Sequence, residues 1–367
     1  MGGNRNLFLT SSIALCLAAS AAHAVLPLQQ IENFQRLANE KPSVLRLYFM
    51  PTAPVKLKWT TPRALLLSTV EAIVLDRSHP IGHVNVEVQL RGQDDADHHV
   101  MTGATDAGNG MSRQLLLKDE VGFSILERAW PGTLETPADM DKSIVDRAKY
   151  KDRLAVVTFL ISDATAQRML DYSHKLLSET SSLFYGFTAR PRREEGSGCS
   201  AFGASYVELM GLMDDDLKAQ WCRNVRVPLS LMAGYGHDKI NIAKAVCTHA
   251  ASAWALPTEP HMALQCFDPD LMFDWTVGLH DKPAEFHGLA VHTDPDLPRD
   301  LDAKYHLNGI AEKNVKAILS DARDVPTPTD PIFQGPRDLD PIPGTSLPTV
   351  IRGHKVLSAD GSFDLKP

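Results

Sequence analysis

Residues 83–90 read HVNVEVQL, in which Val84, Val86, Val88 and Leu90 alternate with His83, Asn85, Glu87 and Gln89. A period of two marks a β-strand with one apolar and one polar face, so this stretch predicts a half-buried strand. Residues 154–161, LAVVTFLI, are instead continuously apolar and rich in β-branched side chains. That pattern suits a central strand covered on both faces. Ser162-Asp163 then caps a helix running to about Ser181, with Ala166, Met169, Leu170, Ser173, Leu176 and Leu177 on one stripe. A further helix opens near Cys199 and carries Phe202, Tyr206, Leu209, Leu212 and Met213 toward the core. Working outward, Ala72–Leu75 and Phe123–Trp130 (FSILERAW) read as strands, the second stopped by Pro131-Gly132, with a polar loop over 92–110 between them. Leu28–Asn39 has a weak helical period, and residues 237–320 hold more helix. The expected class is α+β, an antiparallel sheet with helices on one side.

The two ends differ from this middle. Arg5, the apolar run Leu7–Ala21 and the small-x-small triplet Ala22-His23-Ala24 predict a secretory signal peptide over residues 1–24, cleaved after Ala24. The apolar run falls short of the roughly 20 residues that span a bilayer, so an integral membrane protein is not expected. The expected location is secreted or periplasmic. At the other end, seven prolines fall in the 23 residues from Pro326 to Pro348, which predicts an extended tail or a wrapping arm. The chain carries 37 Lys plus Arg against 45 Asp plus Glu, a net charge of −8 without a long basic run, which argues against nucleic acid as a partner.

The chemistry concentrates at Gly198-Cys199-Ser200-Ala201-Phe202. A thiol on the first turn of a helix meets unpaired backbone N–H groups and the positive end of the helix dipole, and both favour thiolate. The N–H groups of Cys199 and Ser200 would also stabilise an oxyanion. A nucleophilic thiol needs an imidazole to hold its proton and return it to the leaving group. His83, at the head of the alternating strand, is the candidate. Glu127 shares a face with Phe123, Ile125 and Ala129, and a carboxylate there needs a partner, which an imidazole on a neighbouring strand would supply. Other constellations are poorer. Asp94-Asp95-Ala96-Asp97-His98-His99 holds metal-ligand residue types without matched distant ligands, so neither a metal nor another cofactor is expected. No Gly-x-Ser-x-Gly elbow, GxGxxG or GxxxxGK[ST] stretch is present.

The order His83…Glu127…Cys199 resembles the circularly permuted papain-like fold, the branch of the NlpC-type superfamily that includes YiiX/YaeF-like hydrolases and, more distantly, lecithin–retinol acyltransferase. The matching pieces are Gly82-His83-Val84 heading a strand, Ile125-Leu126-Glu127-Arg128-Ala129, a buried strand, a capped helix, Tyr185, and Cys199-Ser200-x-Phe202 opening a helix. The resemblance spans about residues 70–215. It implies a catalytic core there, with an N-terminal segment over 25–69, a C-terminal helical extension over 216–322 and a Pro-rich tail over 323–367. It implies an exported cysteine hydrolase in which Cys199 attacks an amide carbonyl and His83 acts as base and then acid. Glu127 would orient the imidazole, with Tyr185 and Arg128 at the substrate. The superfamily makes peptidoglycan peptides the first expected partner. Its lipid-handling members make acyl-ester hydrolysis or acyl transfer the second. A third reading is a binding protein with a dead site, in which Cys199 bridges Cys222 and Cys247 bridges Cys266 across 18 residues. Arg192 and Arg193 join Arg128 as candidates for the charged groups of a wall peptide.

Overall fold

A computed structural model describes residues 42–335, apart from 55, 76–80, 93–97, 108–110, 179–183 and 238, together with the backbone of 351–352 and 355–356. The predicted signal segment, the helix over Leu28–Asn39 and most of the proline-rich run lie outside these residues. The strands of the N-terminal half are β1 (Val44–Met50), β2 (His83–Gln89), β3 (His99–Thr102), β4 (Ala104–Asp106), β5 (Trp130–Leu134), β6 (Leu154–Leu160) and β7 (Phe184–Tyr185). Those of the C-terminal half are β8 (Cys222–Pro228), β9 (His261–Phe267), β10 (Glu285–Phe286), β11 (Leu289–Thr293) and β12 (Val315–Asp321). The helices begin with α1 (Pro62–Leu75), α2 (Met111–Leu117), α3 (Pro137–Ala148), α4 (Asp163–Ser178) and α5 (Cys199–Leu209). They continue with α6 (Asp215–Trp221), α7 (Ile242–Cys247), α8 (Pro269–Asp281), α9 (Asp296–Tyr305) and α10 (Ile310–Asn314).

The class is α+β. Seven strands form the main sheet in the order β10-β11-β12-β6-β1-β2-β3, antiparallel throughout except where β12 runs parallel to β6. The apolar stretch 154–160 takes the middle position, and every residue of it is buried. Helices cover both faces rather than one. On the first face Leu47, Phe49, Val84 and Val86 pack with Met169, Phe202 and Met272 of α4, α5 and α8. On the second, Met50 and Val156 pack with Met140 and Ile144 of α3 and Leu297 and Leu301 of α9. The polar side of β2 is therefore buried: His83, Asn85 and Glu87 are each less than a tenth exposed. Such groups persist in a core only when partnered. Glu87 accepts from Tyr48 Oη at 2.5 Å, His99 Nε2 lies 3.1 Å from it, and Arg46 pairs with it at 3.3 Å. Burial works against its charge, but Arg46 and these donors hold its carboxyl well below the ordinary carboxylate range.

Four expectations change. Ala72–Leu75 ends helix α1 instead of forming a strand. Pro62 opens that helix and Thr61 Oγ1 accepts from Ala64 N at 3.1 Å, while its nearly all-round apolar sequence erases any helical period. Phe123–Leu126 is a 3₁₀ turn, and the strand begins only at Trp130. The segment before residue 70 is no appendage, because β1 lies between β6 and β2. Residues 216–322 are not a helical extension either, since β10, β11 and β12 complete the main sheet. Every element named belongs to one compact unit, Ser43–Pro367.

The described part of the proline-rich segment wraps the body. Thr327 meets Thr165 at 2.9 Å, Arg168 donates to the Asp330 carbonyl at 2.7 Å, and Phe333 lies 5.3 Å from the Tyr172 ring. Arg192 donates to the Asp330 carboxylate and to the carbonyls of Pro331 and Ile332. This strap fastens the turn that leads into α5. Among the described residues no helix is long and apolar enough to cross a membrane.

Candidate active site

Helix α5 reaches strand β2 because Gly203 lets it. A methyl at that position would lie 2.5 Å from Val84 Cγ1, so only a residue without a side chain allows this approach. The close packing brings the N-terminus of α5 to the head of β2, and with it Cys199 to His83. The cap residue, Gly198, supplies no side-chain hydrogen bond to the first turn. The Cys199 backbone N–H instead meets the Tyr185 hydroxyl.

His83 is buried and held from two sides. Its Nε2 lies 2.6 Å from Glu135 Oε2, and the Asn85 amide lies 3.2 Å from the same nitrogen while donating to Glu135 Oε2 at 2.5 Å. His83 is also hydrogen-bonded to Cys199. Glu135 sits just past β5, its N–H bonded to the Gly103 carbonyl at 2.8 Å and its carbonyl accepting from Thr102 Oγ1 at 2.8 Å. Thr136 follows as the cap of α3 in a reciprocal capping box with Asp139, which fixes where the strand ends and the carboxylate projects.

The electrostatics of the group favour an ion pair. Burial opposes charge on His83, but the Glu135 carboxylate and the hydrogen bond to Cys199 outweigh it and raise the imidazole to about 10. Burial likewise opposes the thiolate, yet His83, the Tyr185 hydroxyl and Ser200 together lower the Cys199 thiol below its ordinary value. Tyr185 Oη donates to Sγ at 3.6 Å, and Ser200 Oγ lies 3.8 Å from it. β7 positions Tyr185 by pairing with Trp130, whose ring centroid is 5.4 Å from the tyrosine's. Both directions favour thiolate–imidazolium over the neutral pair, with a carboxylate behind the imidazole.

Of the residues singled out in the sequence, Cys199, His83, Tyr185 and Ser200 come together. Glu127 does not join them. The 3₁₀ turn carries it away from β2, where it accepts from Tyr235 Oη at 3.3 Å, and burial raises its carboxyl to about 7. Arg128 acts on Glu127. Glu135 holds the position expected for Glu127. The sequence signal for it was slight: an acidic residue at a strand end directly before the helix start Thr136-Pro137. The disulfides of the dead-site reading are absent, since Cys199, Cys222, Cys247 and Cys266 are all free. Burial pushes the Cys222 thiol up to about 12, an inert environment for a thiol. Arg192 is taken up by the strap. Residues 93–97 lie outside the described residues, and among those described no His/Cys/Asp/Glu group is arranged to hold a metal ion.

An apolar cleft enclosing about 810 Å³, part of it open to solvent, lies next to the segments that carry the array, with none of Cys199, His83, Glu135 or Tyr185 in its walls. Its walls include Ile81, two residues before His83, and Leu66, Phe123, Leu126 and Phe187. Phe187 is the near wall, because a side chain on Gly198 would come within 3.5 Å of its Cα. No protein-family model, no curated protein and no solved structure matches this chain.

The Asn85–Glu135 pair rests directly on the backbone at Gly103. A methyl there would press on Asn85 Nδ2 and lie 2.5 Å from Glu135 Oε2. Gly103→Ala should therefore displace the carboxylate from the imidazole and slow alkylation of Cys199 at pH 6.5 by about tenfold, the cost of one pKa unit. Unchanged labelling kinetics in a folded Gly103→Ala protein would contradict this reading of the pair.

Proposed function

We propose that the protein is a cysteine acyl hydrolase of the permuted papain-like kind, acting through a thioacyl-enzyme. The observation that carries the reading is the buried His83 ring, hydrogen-bonded to the Cys199 thiol and held from behind by Glu135 at 2.6 Å. The order His83, Glu135, Cys199 preserves the permuted arrangement, with Glu135 in place of Glu127. The Cys199 thiolate attacks the carbonyl carbon, and the negative oxygen turns to the N–H groups of Cys199 and Ser200. The bond to the leaving nitrogen or oxygen breaks as the His83 imidazolium gives it a proton. Neutral His83 next takes a proton from water, whose oxygen attacks the thioester, and the thiolate departs to restore the ion pair. With the leader that the sequence predicts, this chemistry would take place outside the cytoplasm.

Between amide and ester, the apolar cleft favours a substrate with a hydrocarbon acyl chain. A zwitterionic wall peptide needs charged partners, and of the three candidate arginines Arg128 acts on Glu127 and Arg192 holds the strap, which leaves Arg193 alone. In a nitrophenyl ester series from acetate to decanoate, kcat/KM should rise about fourfold per methylene until the cleft is filled, from roughly 0.8 kcal/mol per CH₂ buried. A flat series, together with cleavage of wall peptides, would return the assignment to an amidase.

A further inference from the structure

A second cavity of about 640 Å³ lies along the side of α5 that carries Ala201, Ser205 and Glu208. None of Cys199, His83, Glu135 or Tyr185 lines it, so it is separate from the thiol array. The turn before α5 brings Arg190, Arg192 and Arg193 to its walls, and α6 brings Lys218. Glu208 is the carboxylate that faces them. The buried Arg192 lies 3.6 Å from Glu208 and is otherwise engaged with Asp330 and the strap carbonyls. Lys218 acts on Glu208 only from beyond ion-pair distance. The side chains of Arg193 and Lys218, both half-buried, make neither an ion pair nor a hydrogen bond among the described residues. On a chain with a net charge of −8, this cavity is a local reversal of sign, and such a field recruits anions.

We propose that this cavity is a second ligand site, independent of the thiol, which holds a small doubly charged oxyanion between Arg193 and Lys218. Charge balance sets the class. With Glu208 answered by Arg192, two positive charges remain without a close partner. A dianion neutralises both, whereas a monoanion leaves one unanswered. Arg193 presents a planar fork of donors and Lys218 a compact ammonium, and both make charge-assisted hydrogen bonds to phosphate or carboxylate oxygens. The volume admits a small organic body beside the anionic group, and Phe187 and Phe267 give that body an apolar wall. Arg193 belongs to the turn that the strap fastens, and Lys218 to the helix after α5. A bound dianion therefore ties the turn to α6 and stabilises the folded chain by mass action.

The test is equilibrium dialysis of the full chain against inorganic phosphate, phenyl phosphate, succinate and acetate at one ionic strength and about pH 8, where phosphate is a dianion. At least one dianion should bind about tenfold or more tighter than acetate, the worth of one further charge-assisted hydrogen bond. Which dianion binds best separates free phosphate, a phosphate ester and a dicarboxylate as the source of the charge. The double substitution Arg193→Gln/Lys218→Gln should remove the preference over acetate, with a melting curve confirming that the variant folds. Should the double variant fail to melt cooperatively, Lys218→Gln alone is read in the same way, since that side chain supports no other contact. Equal binding of acetate and all three dianions would overturn the proposal. So would a dianion preference that survives in the folded variant. Bound anion should also leave the alkylation rate of Cys199 unchanged, and protection of the thiol would overturn the independence of the site.

Discussion

Replacing His83 with alanine should lower kcat/KM for ester substrates about 10³-fold at pH 7, the usual range for loss of a general acid–base group. It should also abolish rapid alkylation of Cys199 below neutral pH. The thiol is buried, and burial alone raises it; the neighbouring imidazolium is foremost in reversing that direction. Without the imidazole the thiol returns to its ordinary range or above, and near pH 6.5 the thiolate fraction falls about a hundredfold. The sign on each limb follows from the two shifts. As pH falls, the Cys199 thiolate takes up its proton, and labelling and turnover decline together. As pH rises through about 10, His83 loses its proton. The thiolate persists, so alkylation continues, while turnover drops because no acid remains for the leaving group. Cys247 is exposed and will also take label, so the fast phase is identified by its disappearance in Cys199→Ala. A single labelling phase that is the same in wild type and His83→Ala would end the ion-pair assignment.

Glu135→Gln should be nearly as damaging, whereas Glu127→Gln should leave kcat/KM within about twofold. The glutamine keeps the shape of Glu135 but removes the negative charge that does most to oppose the burial of His83. The imidazole then falls from about 10 toward its ordinary value, and the thiolate loses its partner at neutral pH. A drop in turnover of about 10² is expected, with the acid limb of the labelling profile moving upward. Glu135→Ala goes further, leaving both His83 and the Asn85 amide without their acceptor. Breaking a buried pair by removing one member costs about 3–5 kcal/mol, so this variant should also melt well below wild type. Glu127, by contrast, is already raised to about 7 and accepts one hydrogen bond from Tyr235. Its amide counterpart preserves that bond. An inactive Glu127→Gln protein beside an active Glu135→Gln protein would reverse the assignment.

The strongest periodic segments were legible directly. HVNVEVQL is β2, LAVVTFLI is the central strand β6, and the capped segment after it is α4. Cys199 at the start of a helix and His83 at the head of a strand were legible for a related reason. Gly198-Cys199-Ser200 and Gly82-His83 combine a local backbone signal with a reactive side chain. Local signals misled where the chain turns. FSILERAW has strand-like composition, yet Gly122 sends it into a 3₁₀ turn, at a φ of 57° and packed against Leu231 and Ile240. Those partners lie more than 100 residues away, and no window around residue 123 contains them.

What the sequence determined by itself is therefore local: the strands whose period or β-branching is strong, the helix starts with side-chain caps, and the thiol and imidazole proposed as nucleophile and base. Tertiary structure alone decided three other things. It set which carboxylate serves the imidazole, because the sequence favours Glu127 and only the turn at 123–126 and the register of β5 bring Glu135 there instead. It buried the polar face of β2, because the second helical layer comes from α3 and α9, distant in the chain. It also made the C-terminal third part of the core, since the parallel pairing of β12 with β6 joins residues some 160 apart. Backbone conformation and helix caps act over a few residues, whereas strand pairing and burial depend on groups that only folding brings together.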